Sequence, residues 1–294
     1  MFILTGSQHF LLMDRLSQAL AGRVHILDLL PFSLEELAGT KSMPRTPEAW
    51  IFKGMCPRIH DKKIDPRDWC QSYIRTYLER EVRLIRNVTD IATFQRFLKM
   101  CAGRTGQLLN LSSLANDRGI THNTAKAWIG ILEANFIVHL LNPYHRNFNK
   151  RLVKMPKLYF YDTALVCSLT GVGRAEELKT HSLRGNLFET AVISELTKQR
   201  RNRGISFPLY FWRDKTGNEI DCVLEKGERL VPLEIKSGRT VTEDFFKGIC
   251  YWDKITRPRQ RSGYLIYAGE QNQQRREADV LGWKKLASLR LLAG

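Results

Sequence analysis

Asp221, followed after twelve intervening residues by Glu234-Ile235-Lys236, brings together the side chains of this sequence with most chemistry to offer. The run Gly217 to Leu224 and the run Leu230 to Gly238 are both short and rich in apolar residues, and Glu225-Lys226-Gly227-Glu228 between them is a polar turn with its glycine. The pair reads as a β-hairpin. On a strand, side chains two apart share a face, so Glu234 and Lys236 project together while Leu233 and Ile235 enter the core. With Asp221 opposite them on the neighbouring strand, two carboxylates and an amine converge. Magnesium prefers carboxylate, carbonyl and water oxygens, so Asp221 and Glu234, with the Ile235 carbonyl between them, make a candidate metal seat. A metal held there lowers the pKa of a bound water and neutralises phosphate charge, with Lys236 beside it to orient or help deprotonate the nucleophile. The competing reading makes the acids and the lysine the solvated face of an exposed hairpin.

These residues, preceded by Glu189 in Gly185-Asn186-Leu187-Phe188-Glu189, resemble the PD-(D/E)XK nuclease superfamily. More narrowly, the chain from about Trp69 to its C-terminus resembles the domain of unknown function, family 4143, that follows an AAA-type ATPase core in many bacterial and archaeal proteins. The resemblance implies Glu189 as an accessory acid on the first helix, Asp221 and Glu234 as metal ligands, Lys236 as the catalytic lysine, and magnesium or manganese as cofactor. Ile220 stands where the superfamily pattern has proline. Two further stretches resemble family signatures: Tyr77 to Val82, with Glu81 where Asp is usual, and Lys157 to Leu165, with Ala164 where glycine is usual. Asp162 in the second reads as an N-cap or turn acid.

The elements that position this chemistry belong to a chain of 294 residues with 43% hydrophobic composition, enough for a sizeable core and for two or three domains. A net charge of +16 exceeds what solubility requires and creates a field that attracts phosphate backbones. No apolar run approaches the roughly 20 residues of a spanning helix, which favours nucleic acid over a membrane as the partner. The six cysteines are dispersed without a C-x-x-C pair, which argues against zinc and reads as reduced thiols in a cytoplasmic protein. The start of the sequence has no basic leader and does not read as a secretory signal.

Residues 1–38 resemble the last segment of an AAA-like core, in which Ser7 and Arg23 would stand at sensor-like positions; without the rest of that core the reading as ordinary turn and surface residues is favoured. The phosphate-cradling G-x-x-x-x-G-K-[ST] loop is absent, so ATPase activity is not expected. Residues 39–67, with Pro44, Pro47, Pro57 and Pro66, read as a linker in which Trp50 is a packing anchor. Residues 68–165 read as a helical and winged helix-turn-helix-like region: a helix capped by Asp68, another from Thr89 to Cys101, a short helix at Ser112 to Asp117, a longer one capped at Thr121, then β-type runs. A DNA-binding version presents Thr121, His122, Asn123, Lys126 and Trp128 to a groove and Arg146, Lys150, Arg151 and Lys154 to phosphates. The alternative is a packing module whose basic residues are merely solvated.

Residues 166–294 read as an α/β domain, restriction-endonuclease-like through the resemblance. A helix from Leu183 to Gln199 carries Glu189, with Glu195 as a weaker candidate acid, and Leu209 to Trp212, Thr242 to Lys254 and Ser262 to Tyr267 follow as strand, helix and strand. The leading expectation is magnesium-dependent cleavage of DNA, or of RNA. The alternatives are a catalytically silent module that binds nucleic acid or a partner within an ATPase system, and a truncated ATPase relative without independent activity. An ATPase on another chain and a second copy of this chain are the further expected partners.

Overall fold

The structure, a computed structural model, describes residues 27–77, 90–117, 119–145, 153–205, 208–258 and 263–288. The readings at Ser7, Arg23, Glu81, Arg146, Lys150 and Arg151 lie outside these residues. The fold is mixed α/β, with a three-stranded and a six-stranded sheet.

The first helices are α1 (Leu34–Leu37), α2 (Pro47–Lys53), α3 (Pro57–Asp61) and α4 (Pro66–Tyr77). A capping box between Ser33 and Glu36 starts α1, and proline at the first turn with Thr46 as cap starts α2. Residues 39–67 therefore contain packed structure where the sequence suggested a linker. Trp50 is 1% exposed, stacks on Trp283 with ring centroids 5.5 Å apart, and meets Phe188 edge-on. Truncating an aromatic buried in this way costs about 3–5 kcal/mol, so α2 belongs to the core. The helix expected to begin at Asp68 begins at Pro66, because Asp65 accepts the free backbone N–H groups of Arg67 and Asp68.

Next come α5 (Ile91–Gly103), β1 (Gln107–Leu108), α6 (Leu111–Asn116), α7 (His122–Ala134), β2 (Val138–Leu141) and β3 (Lys157–Phe160). Asp90, Asn110 and Thr121 cap the three helices with their side chains. The strands form an antiparallel sheet in the order β1-β3-β2. Trp128, expected at a groove, is 3% exposed and packs edge-on against Phe94 and Phe97. It lies one turn from Ala125 and from Leu132 on the stripe that α7 buries, and its packing against α5 decides its direction.

His139 on β2 is buried against Tyr159 and Tyr161, with neither ring nitrogen hydrogen-bonded. Burial, reinforced by the charges of Arg201, Arg200 and Lys198, pushes its pKa down to about 3. The unfolded chain therefore binds a proton that the folded chain refuses between about pH 6.5 and 3. His139 should make the fold lose up to about 1.4 kcal/mol per pH unit as pH falls through that window, and His139→Phe should flatten the loss. Urea denaturation at pH 7, 5.5 and 4 checks this.

The remaining elements are α8 (Thr163–Thr170), α9 (Arg184–Asn202), β4 (Leu209–Arg213), β5 (Glu219–Lys226), β6 (Arg229–Lys236), α10 (Lys247–Thr256), β7 (Tyr264–Tyr267), β8 (Gln273–Gln274) and β9 (Asp279–Gly282). The six strands lie in the order β4-β5-β6-β7-β9-β8: β4, β5 and β6 run antiparallel, β6, β7 and β9 parallel, and β8 pairs antiparallel at the edge. Cys222, Leu224, Leu233 and Ile235 face a core shared with α9, while Val223, Leu265 and Val280 face a second core with Trp212 and Trp252. The two sheets are tied at Phe211, whose carbonyl accepts from the Tyr144 amide at 2.7 Å and whose amide donates to the Asn142 carbonyl at 3.1 Å.

Candidate functional site

The expected hairpin is present as β5 and β6, closed by the pair Lys226 and Arg229 around Gly227, whose φ of +57° suits glycine. Against β4 the register shifts: Tyr210 pairs with Val223 but Trp212 with Ile220, so Asp221 and Cys222 together oppose Phe211. Such a bulge kinks a strand and re-aims its side chains. It leaves Asp221 directed at the end of β6, where its Oδ2 accepts the Ile235 amide at 2.8 Å. The Lys236 ammonium lies 3.5 Å from the same oxygen and also pairs with Glu234. The acid, acid and lysine proposed from spacing thus meet at one place.

They line a cleft of about 420 Å³ together with Glu219, Asn218 and Lys247. Glu219 was not among the candidates from sequence, although its place two residues before Asp221 on a strand signals a shared face. The approach to β5 is fixed by Asp214, which accepts from the backbone and side chains of Thr216 and Asn218 and from the Tyr251 hydroxyl. Behind Glu234 the first turn of α10 comes close enough that a Cβ on Gly248 would stand 2.0 Å from Glu234 Oε1. Glycine there is what admits the carboxylate.

Burial, and then the charge of Asp221, holds the Glu234 carboxyl well above the usual carboxylate range. For Lys236, burial works against the ammonium, but the Asp221 and Glu234 carboxylates outweigh it and raise its pKa above the ordinary lysine value. The two acids share one resident cation.

Glu189 sits on α9 as expected, yet its carboxylate is engaged elsewhere. Its Oε1 accepts from Lys157 Nζ at 2.8 Å and from the Tyr159 hydroxyl at 2.5 Å, both on β3. Lys157 also pairs with Glu219, which Arg213 holds from the other side at 3.1 Å. Burial raises the Glu189 pKa, and the nearby Asp221 charge adds to the effect. Glu195 lies fully buried on the same helix and accepts from the Leu34 amide at 2.9 Å and from Gln199 at 2.7 Å, a structural role in docking α1. Asp162 caps α8 and also accepts the Met55 amide at 2.8 Å.

His122, Asn123, Lys126 and Lys154 are exposed. Trp212 is fully buried against Trp252. Cys70, Cys101, Cys167 and Cys222 are buried free thiols, and Cys56 and Cys250 are half-buried ones. Among the described residues, no group of three or more His, Cys, Asp or Glu side chains is arranged to hold a metal ion, and no helix is long and apolar enough to cross a membrane.

Two family models match. Residues 45–176 match a domain of unknown function, DUF8612, and residues 184–286 match a domain of unknown function, DUF4143. Uncharacterized proteins of Mycobacterium bovis and Mycobacterium tuberculosis are each 29% identical over 240 residues, which is 81% of this chain and 53% of theirs. The chain spans about half the length of the curated relatives it matches. No solved structure matches it. Lys157 and Tyr159 fall in the first matched stretch, and the cleft residues fall in the second.

Proposed function

We propose that the chain binds nucleic acid and that the cleft at the β5–β6 hairpin is a metal-dependent phosphodiester hydrolase site of restriction-endonuclease-like type. The observation that carries this reading is the convergence of Asp221, Glu234 and Lys236 at the end of two paired strands, beside an open cleft. The donor set fits magnesium or manganese: two carboxylates already share a cation, and magnesium relies on one or two protein carboxylates with waters and substrate phosphates completing its shell. Asp221 and Glu234 would hold the ion, with Ile235 tied in through its backbone. The ion when bound supplies charge neutralisation and an acidified water. Lys236 stands within reach to orient that water, and Asp221 in turn holds the end of β6 in place through the Ile235 amide. Incubation with supercoiled, linear and single-stranded substrates in magnesium, manganese or chelator tests the reading, and a wild type that cuts none of them in either metal overturns it.

Two observations favour a second reading, a catalytically silent module that binds nucleic acid or a partner within an ATPase system. No three-ligand metal group exists among the described residues, and Lys236 already pairs with both acids. The matched families carry no assigned function that speaks against it. Both readings share the binding step. If the net charge of +16 serves phosphate contact, affinity falls steeply with salt, and replacing exposed Lys126 and Lys154 by alanine lowers the log–log salt slope by about two. Fluorescence anisotropy from 50 to 200 mM salt measures it, and a salt-insensitive affinity contradicts it.

A further inference from the structure

We propose that Lys157 is the resident second cation of this site: its ammonium fills the position between Glu189 and Glu219 that a second divalent ion would need, so the cleft takes one metal ion and not two. This rests on the metal-site reading above and concerns the stoichiometry of that same site.

Lys157 is 4% exposed, and a buried ammonium persists only when it is paired and hydrogen-bonded. Its partners come from two different elements, Glu189 on α9 and Glu219 on β5, and its ammonium also stands 5.6 Å from the centre of the Phe211 ring. Both carboxylates are hard oxygen donors of the kind a divalent ion takes. Glu219 lines the cleft beside Asp221 and Glu234, and the charge of Asp221 also acts on Lys157. A second metal ion between Glu189 and Glu219 would therefore compete directly with the lysine. The ammonium is a point cation with three donors, so it can bridge two acids as an ion does. Tyr159 adds its hydroxyl to the same Glu189 oxygen and further fixes that acid. Lys157 and Tyr159 both lie on β3, so the central strand of the smaller sheet supplies the positive charge for acids carried by α9 and β5. Lys157 is in this account a positioning residue, and no step of the hydrolysis runs through it.

The test is a manganese titration of the full chain followed by electron paramagnetic resonance, with circular dichroism and thermal melting recording the fold of each variant. The expected result is one ion per chain for the wild type, two for Lys157→Met and one for Lys157→Arg, which retains the cation. Lys157→Gln replaces the methionine variant if that one does not fold, and is expected to take two ions. Two ions bound to the wild type overturn the proposal, as does a single ion bound to a folded variant that lacks the lysine charge. Wild type that binds one ion but cuts no substrate removes the cleavage reading and leaves this inference in place. Wild type and variants that bind no ion remove both.

Discussion

Replacing Asp221 by asparagine should abolish measurable divalent-ion binding and reduce cleavage by at least about a hundredfold while leaving the fold in place, the order of loss seen when one charge-stabilising group is removed from an active site. The reasoning starts from the two jobs of this carboxylate. Its Oδ2 accepts the Ile235 amide at 2.8 Å, and an asparagine carbonyl oxygen can still accept that hydrogen bond, so the end of β6 keeps its partner. What asparagine cannot supply is the negative charge, which a hard cation needs from its ligands. Glu234 would then be left with Lys236 as its counter-ion, and the site would be electrically satisfied without a metal. Calorimetric titration with magnesium checks the outcome. An affinity unchanged from wild type would remove Asp221 from the ligand set.

Lys236→Met should give the opposite separation: ion binding and nucleic-acid binding kept, cleavage lost by about a hundredfold or more. While protonated the ammonium has no lone pair and cannot be a ligand. Its pKa stands above the ordinary lysine value, despite the burial that opposes the charge, because Asp221 and Glu234 lie beside it, so it is charged across the physiological range. Methionine has a similar reach without the charge, and the methylene stem continues to fill its place. A purely structural lysine predicts a different pattern. Its removal would alter melting by the small amount expected of a partly exposed ion pair and leave any cleavage untouched.

The hairpin itself was legible because strand alternation and a glycine turn are local signals, and they place Glu234 and Lys236 together without knowledge of the rest. Asp221 was legible as the acid on the adjoining strand, but the bulge that aims it was not: it depends on how β4 pairs with β5, which spacing alone does not encode. Glu219 is readable in principle from Glu219-Ile220-Asp221, since it stands two residues before Asp221 on the same strand. Lys157 could not be found by local reasoning. It is 32 residues from Glu189 and lies on a strand of the smaller sheet, and only the docking of β3 against α9 brings the ammonium to that acid. Glu189 was found on the helix that carries it, while its engagement with Lys157 and Tyr159 followed from the same docking. Trp128 shows the reverse case, an aromatic on a helix that reads as an exposed reader until the position of α5 is known. Residues 39–67 read as a linker because prolines recur among basic residues, yet Pro47, Pro57 and Pro66 each stand at the first residue of a helix, where a missing N–H costs nothing.

The most direct test of the central claim is the single-turnover rate at which the full chain cleaves supercoiled DNA in magnesium, measured side by side for wild type and Lys236→Met at a protein concentration that saturates the DNA. The account predicts cleavage by wild type that a chelator abolishes, and a rate at least about a hundredfold lower for the variant at equal DNA occupancy. Wild type that leaves the DNA intact in magnesium and manganese, or a variant that cuts as fast as wild type, contradicts it and leaves the silent binding module as the function of this fold.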